Sequence, residues 1–334
     1  MNVAAEKVVP NARGVSNLIV TARTFDRGDL VYAAYLVLPF RLFLQVGRLV
    51  GWIEMLMRPK ARRAVRANLE QAFGSSKSRR ELSRFTRQVF EYHQMRTVML
   101  LVAPLMAERG QLEKHFPIRN LEYLDRALEA GKSAIIIGSH VNSVGVLLGM
   151  LQLRRAGYPV QVPLPDPHDA WSPTPFRRLV HRLLGAPTVA ESLGAFYAQF
   201  NVRPLVRALN EKSILLLMGD GWHSASFVDV EFVGRTLPFT SGPLSLARVA
   251  GVPVVPFFAT GAPDRLEFVF EPAFTVERTD DAQADVSGAV RSFVGRVEHR
   301  MLADIPCWQH WLVDDVFATL EAWRSRSLNE RYAV

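Results

Sequence analysis

Ala134-Ile135-Ile136-Ile137-Gly138-Ser139-His140-Val141-Asn142-Ser143-Val144-Gly145 is the stretch whose reading decides the fold. Its apolar run, rich in β-branched side chains, predicts a buried strand that Gly138 ends. Ser139 is placed to cap a helix, and Val144-Gly145-Val146-Leu147-Leu148 can continue as one. A histidine at a strand end beside a helix start stands where open α/β sheets keep their chemistry. Spacing alone favours a hydrogen-bonded structural histidine, so the weight falls on the segments around it.

Downstream, strand and helix alternate. Leu147–Arg155 reads as helix closed by Gly157, Pro159–Pro163 as a short strand, and Pro165–Pro175 as an irregular loop. Helices follow over Phe176–Leu184 and Val202–Leu209, then an apolar strand, Ser213–Met218, ending at Gly219-Asp220-Gly221. A polar and aromatic loop carries Trp222, His223, Phe227 and Phe232. Gly242–Ala250 is a helix closed by Gly251, Val252–Phe258 and Leu266–Phe270 are strands, and Val286–Leu302 and Cys307–Arg324 are helical. This alternation predicts an α/β fold with a mostly parallel sheet covered by helices, over residues 116–324.

Upstream, residues 1–28 read as a flexible tail without the apolar core and cleavage site of a secretory signal. Residues 29–60 form an apolar stretch interrupted by Arg41 and Arg48. A clean span wants about 20 apolar residues with few charges. The two arginines, seven apart, fall on one helical face, which suits a membrane-associated helix lying in the interface. A buried core helix and a true span are the alternatives. Residues 61–115 are helical, with a break at Gly74-Ser75-Ser76 and a short helix later ending at Gly131.

The 334-residue chain carries a net charge of +8 and concentrates its basic residues. Arg58, Lys60, Arg62, Arg63 and Arg66 are followed by Lys77, Arg79, Arg80, Arg84 and Arg87. Placed directly after an apolar helix and without a stacking motif, this run suits anionic lipid head groups or an acidic protein and argues against nucleic acid. The single cysteine, Cys307, excludes an internal disulfide, and no Cys/His spacing suggests zinc.

Four landmarks now stand in order: Asn68-Leu69-Glu70-Gln71-Ala72-Phe73; the strand with His140; Gly219-Asp220-Gly221 with Phe232-Val233-Gly234-Arg235; and Leu246 through Pro256. This set, spanning roughly Ala34 to Trp311, resembles the bacterial lipid A biosynthesis (lauroyl/myristoyl) acyltransferases of the lysophospholipid acyltransferase superfamily. The resemblance implies a membrane-associated enzyme on the cytoplasmic face of a bacterial inner membrane. It would move a fatty acyl chain from an acyl carrier protein or CoA thioester to a hydroxyl of a lipid or glycolipid. No cofactor is implied; the acyl thioester is a co-substrate.

It also implies a His-x4-Asp/Glu signature, with the histidine as general base. Here the fifth residue after His140 is Gly145, so the acid is missing. Three readings follow. Asp220 replaces it from another strand end, Asn142 or Ser143 orients His140 more weakly, or the chain is a non-catalytic lipid-binding relative. A Glu-Gly pair of the wider superfamily corresponds to Asp220-Gly221, implying contact with the acceptor, although an Asp-Gly pair after a strand is also ordinary turn chemistry. Arg235 is a candidate for a substrate phosphate or carboxylate, and Trp222, Phe227 and Phe232 either line an acyl tunnel or pack the core. A metal-assisted hydrolase on His140, Asp220 and His223 is the remaining reading. Asp166, His168 and Asp169, among prolines, read as a polar loop, and Arg177 and Arg178 as a helix surface.

Overall fold

A computed structural model describes residues 33–131, 133–164, 192–197, 201–221, 224 and 226–325. The expected tail over 1–28, the 165–175 loop with Asp166, His168 and Asp169, Arg177, Arg178, Trp222 and His223 lie outside the described residues.

The strands are β1 (Ile118–Arg119), β2 (Ala134–Gly138), β3 (Val160–Leu164), β4 (Ala195–Tyr197), β5 (Ile214–Met218), β6 (Phe227–Phe232), β7 (Arg235–Thr240), β8 (Val254–Thr260) and β9 (Glu267–Phe270). Seven of them form one sheet in the order β1-β9-β8-β2-β5-β3-β4. Strands β8, β2, β5, β3 and β4 run parallel, and β9 is antiparallel to β8. The expected mostly parallel α/β sheet is therefore present. Strand β2 lies between two parallel neighbours and is buried at every residue, which is why it reads as an unbroken apolar run.

The helices are α1 (Phe40–Met57), α2 (Pro59–Phe73), α3 (Arg79–Glu108), α4 (Gln111–His115), α5 (Glu122–Gly131), α6 (Ser143–Arg155), α7 (Val202–Asn210), α8 (Gly242–Ala250), α9 (Ala282–Ala303) and α10 (Val316–Ser325). Ser78 and Glu81 start α3 with reciprocal side-chain caps. Helices α1–α3 share one hydrophobic core with the sheet, because α3 packs against both α1 and α6.

Four expectations need correction. The apolar stretch 29–60 is not one helix: it breaks at Pro39, which has no N–H to donate and an extended backbone (φ −57°, ψ 142°). Ser139 does not cap α6. That position falls to Asn142, in the left-handed conformation (φ 53°) that asparagine tolerates, while Ser139 Oγ accepts from the Val141 N–H. The segment around Phe227 and Phe232 is no loop but a hairpin of β6 and β7, alternating buried and exposed and turning at Val233-Gly234. Finally, Cys307–Arg324 is not one helix: two 3-10 turns, Ile305–Cys307 and Gln309–Leu312, precede α10, and Trp308 between them is extended.

Helix α1 is buried along one face only. Phe40, Phe43, Leu44, Gly47 and Gly51 are buried, the two glycines against α3 and Phe40 stacked on His115 of α4. The approach is so close that a Cβ on Gly51 would lie 2.4 Å from the Phe90 carbonyl oxygen. Leu42, Leu49, Trp52, Ile53, Leu56 and Met57 remain exposed. No described helix is long and apolar enough to cross a membrane.

Candidate active site

The register of the central strands brings the two key residues together. Gly138 is opposite Met218, and the Gly219 N–H donates to the Gly138 carbonyl at 2.9 Å. His140 and Asp220 each follow two residues beyond that pair, at the carboxyl edge where α/β sheets bind ligands. His140 Nδ1 donates to Asp220 Oδ1 at 2.8 Å, and the His140 backbone N–H reaches Oδ1 and Oδ2 at 2.8 and 2.9 Å. Asp220's side chain is wholly buried, whereas His140's is 26% exposed.

A carboxylate accepts hydrogen bonds, so His140 carries its proton on Nδ1 and is left with a lone pair on Nε2. Burial alone would raise the Asp220 pKa, but the charge and hydrogen bonds of His140, with His310 nearby, hold it below the usual carboxylate range. An ionised acid therefore stands behind the histidine, which can take a proton on Nε2 and keep the resulting charge balanced.

Trp308, Gln309 and His310, unrecognised from sequence, complete the surroundings. Trp308 Nε1 donates to Asp220 Oδ2 at 3.1 Å, and His310 Nε2 donates to the Asp220 backbone carbonyl at 3.0 Å. The Gln309 N–H donates to the His140 carbonyl at 3.0 Å, and Ser143 Oγ to Gln309 Oε1. Aromatics crowded between Pro306 and Leu312 were the available signal, and they pass equally well for the packed face of a helix.

The remaining candidates divide. Gly221 lies beside the histidine: a Cβ there would sit 3.7 Å from His140 Cε1. Asn142, 1% exposed, spends its amide nitrogen on the carbonyls of Ala259 and Gly261 and its oxygen on Arg96, so its placement is that of a clamp. Arg96, equally buried, also donates to the Cys307 carbonyl at 2.8 Å. Arg235 lies over the Phe317 ring and donates to Gln71, which ties its guanidinium to the packing of β7 on α10 and α2. Phe232 is fully buried between Phe239 and Trp308, in the core, while Phe227 is half-buried. Asn68, from the first landmark, donates to the carbonyls of Trp311 and Val313 and accepts from the Val316 N–H, holding the 3-10 turns in place.

Gly145, where the signature acid would stand, faces the core. A Cβ there would lie 2.6 Å from Ala259 Cβ and 3.2 Å from Leu266 Cδ1. Donor atoms of His140, Asp220 and His310 lie within 4.8 Å of one another, close enough for one cation. Nδ1 of His140 and Nε2 of His310 are nonetheless N–H donors here, and a metal needs their lone pairs.

His310 also carries a pH prediction. Burial first, and then repulsion from His140, lower its pKa from 6.5 to about 3. Between those values the unfolded chain binds a proton that the folded chain refuses, so stability falls as pH drops. The expected loss is about 2 kcal/mol between pH 7 and 5. Urea denaturation should register it, and His310→Gln should flatten the slope; an unchanged slope in that variant would assign the effect to other groups.

A histidine on a buried acid, at the carboxyl edge of a mostly parallel sheet, is an arrangement whose chemistry suits taking a proton from a hydroxyl. The chain matches the family model of the bacterial lipid A biosynthesis acyltransferases over residues 27–312 and belongs to that family. It is an acyltransferase acting on lipid. No curated protein matches the sequence.

Proposed function

We propose that this protein transfers a fatty acyl chain from an acyl carrier protein or CoA thioester to a hydroxyl of a membrane lipid or glycolipid, with His140 as general base. The observation that carries the reading is the 2.8 Å His140–Asp220 pair, in which an acid just past the end of β5 stands in for the one that the signature lacks at Gly145. As the acceptor oxygen attacks the thioester carbonyl, Nε2 takes its proton. Collapse of the tetrahedral intermediate breaks the carbon–sulfur bond, and the imidazolium returns the proton to the departing thiolate. Asp220 holds the tautomer and offsets the transient charge. Gly221, without a side chain, leaves room for the acceptor beside His140.

Purified protein offered acyl carrier protein and acyl-CoA thioesters with a panel of membrane lipids should yield an acylated lipid, with His140→Ala protein as the blank. No product from any donor, alongside clear lipid binding, would instead favour a non-catalytic lipid-binding relative.

The α1 surface supports action at the membrane, on the cytoplasmic face of the bacterial inner membrane. Its exposed Leu49, Trp52, Ile53, Leu56 and Met57 lead into exposed Arg58, Lys60, Arg62 and Arg63, pairing an apolar face with cations for anionic head groups. Burying one such side chain is worth about 1.5–3 kcal/mol. The double variant Trp52→Glu/Leu56→Glu should thus bind anionic vesicles at least about 100-fold more weakly while folding normally. Unchanged cosedimentation would remove α1 as the membrane-facing element.

A further inference from the structure

The hydrogen bonds around Asp220 divide its two oxygens between different parts of the chain. Oδ1 accepts from the His140 ring and backbone, while Oδ2 shares the backbone N–H and takes the Trp308 indole N–H at 3.1 Å. Trp308 is fully buried and itself fixed, edge-on to Trp311 at 4.8 Å and against Phe232 at 5.2 Å. Its backbone forms a bridge with Val141, and the flanking amides complete that pairing: Asn142 N–H to the Cys307 carbonyl and Gln309 N–H to the His140 carbonyl, both 3.0 Å. His310 then lays its ring 4.3 Å from the His140 ring and donates to the Asp220 carbonyl. One short segment thus touches the acid's side chain, the acid's backbone, the histidine's backbone and the histidine's ring.

We infer that Trp308 and His310 are positioning residues for acyl transfer, fixing the rotamer of the Asp220 carboxylate and the plane of the His140 imidazole. This rests on the reading of His140 as the base. Without the indole N–H, one carboxylate oxygen loses a fixed partner and the group gains freedom to rotate away from Nδ1. Without the His310 donor, the Gly219-Asp220-Gly221 turn loses its outer hydrogen bond and the imidazole loses a wall. His310 suits this place because it is neutral and adds no charge against the imidazolium.

The test uses the full chain and substitutions that separate position from bulk. Trp308→Phe keeps a large ring and deletes the N–H. His310→Leu removes the donor, and His310→Gln returns an amide N–H near the place of Nε2. With the donor and acceptor from the transfer assay, Trp308→Phe and His310→Leu should each lower kcat about ten-fold with KM within two-fold, and His310→Gln should recover most of it. In the free protein, the downfield proton resonance of His140 Nδ1–H, identified by its loss in His140→Ala, should broaden or move in Trp308→Phe. Unchanged kcat in both deletions with an unmoved resonance in Trp308→Phe would overturn the inference, as would His310→Gln being as impaired as His310→Leu. If Trp308→Phe fails to fold, the His310 pair decides alone. Full activity of His140→Ala would instead sink the general-base reading, and that result is distinguishable because it does not depend on either positioning residue.

Discussion

Asp220→Asn should lower acyl transfer by about 10³–10⁴-fold, and His140→Ala should lower it at least as far. His140 is partly exposed, so its truncation leaves a surface notch and the fold intact. Asp220 is buried and accepts three N–H groups, two from His140 and one from Trp308. An asparagine there presents an NH2 to one of those donors, leaving a buried polar group unpaired at a cost of about 1–3 kcal/mol. It also favours the wrong imidazole tautomer, with the proton on Nε2 where the lone pair is needed. Rates should therefore be read per mole of folded protein, judged by circular dichroism. An Asp220→Asn enzyme within ten-fold of wild type would mean that some other group orients His140.

The second large effect runs against intuition: installing the missing acid should destroy the protein rather than improve it. In Gly145→Glu the Cβ alone would meet Ala259 Cβ at 2.6 Å, with Leu266 and Phe268 behind it. The carboxylate would then be buried among apolar side chains. Overpacking costs about 1–3 kcal/mol and an unpaired buried charge several more, enough to consume a typical domain stability of about 5–15 kcal/mol. We expect insoluble or molten protein and no gain in rate; Gly145→Ala should fold with a lowered urea midpoint. A well-folded, faster Gly145→Glu enzyme would show that α6 can shift outward and that the helix position is still open to an acid.

Much of this arrangement was legible in the chain because it rests on local signals. Ile135–Ile137 and Ile214–Leu217 read as buried strands from their unbroken apolar runs, and the glycines closing them put His140 and Asp220 at strand ends. That the two ends are neighbours is a matter of register between strands about 80 residues apart, which no local pattern encodes; Asp220 could be nominated for the missing acid's place but not positioned. The β6–β7 hairpin did carry a signal, the alternation of Phe227-Val228-Asp229-Val230-Glu231-Phe232, yet its turn uses Val233 at φ 49°, an unusual residue for that conformation. The Trp308–His310 segment was illegible for a different reason. Its aromatic spacing satisfies a helical face, whereas Trp308 is extended and bridged to Val141 between two 3-10 turns.

That pairing sets an order of events during synthesis. The strands bearing His140 and Asp220 leave the ribosome well before residues 305–313, and Asn68 waits for partners at Trp311, Val313 and Val316, more than 240 positions later. Contacts of such separation form late, since loop closure must be met before they are rewarded. A nascent or C-terminally clipped chain therefore holds a histidine and an acid whose scaffolding has yet to arrive. With His140 read as the base, a chain lacking residues 305–313 should transfer acyl groups more slowly than one that has them in place.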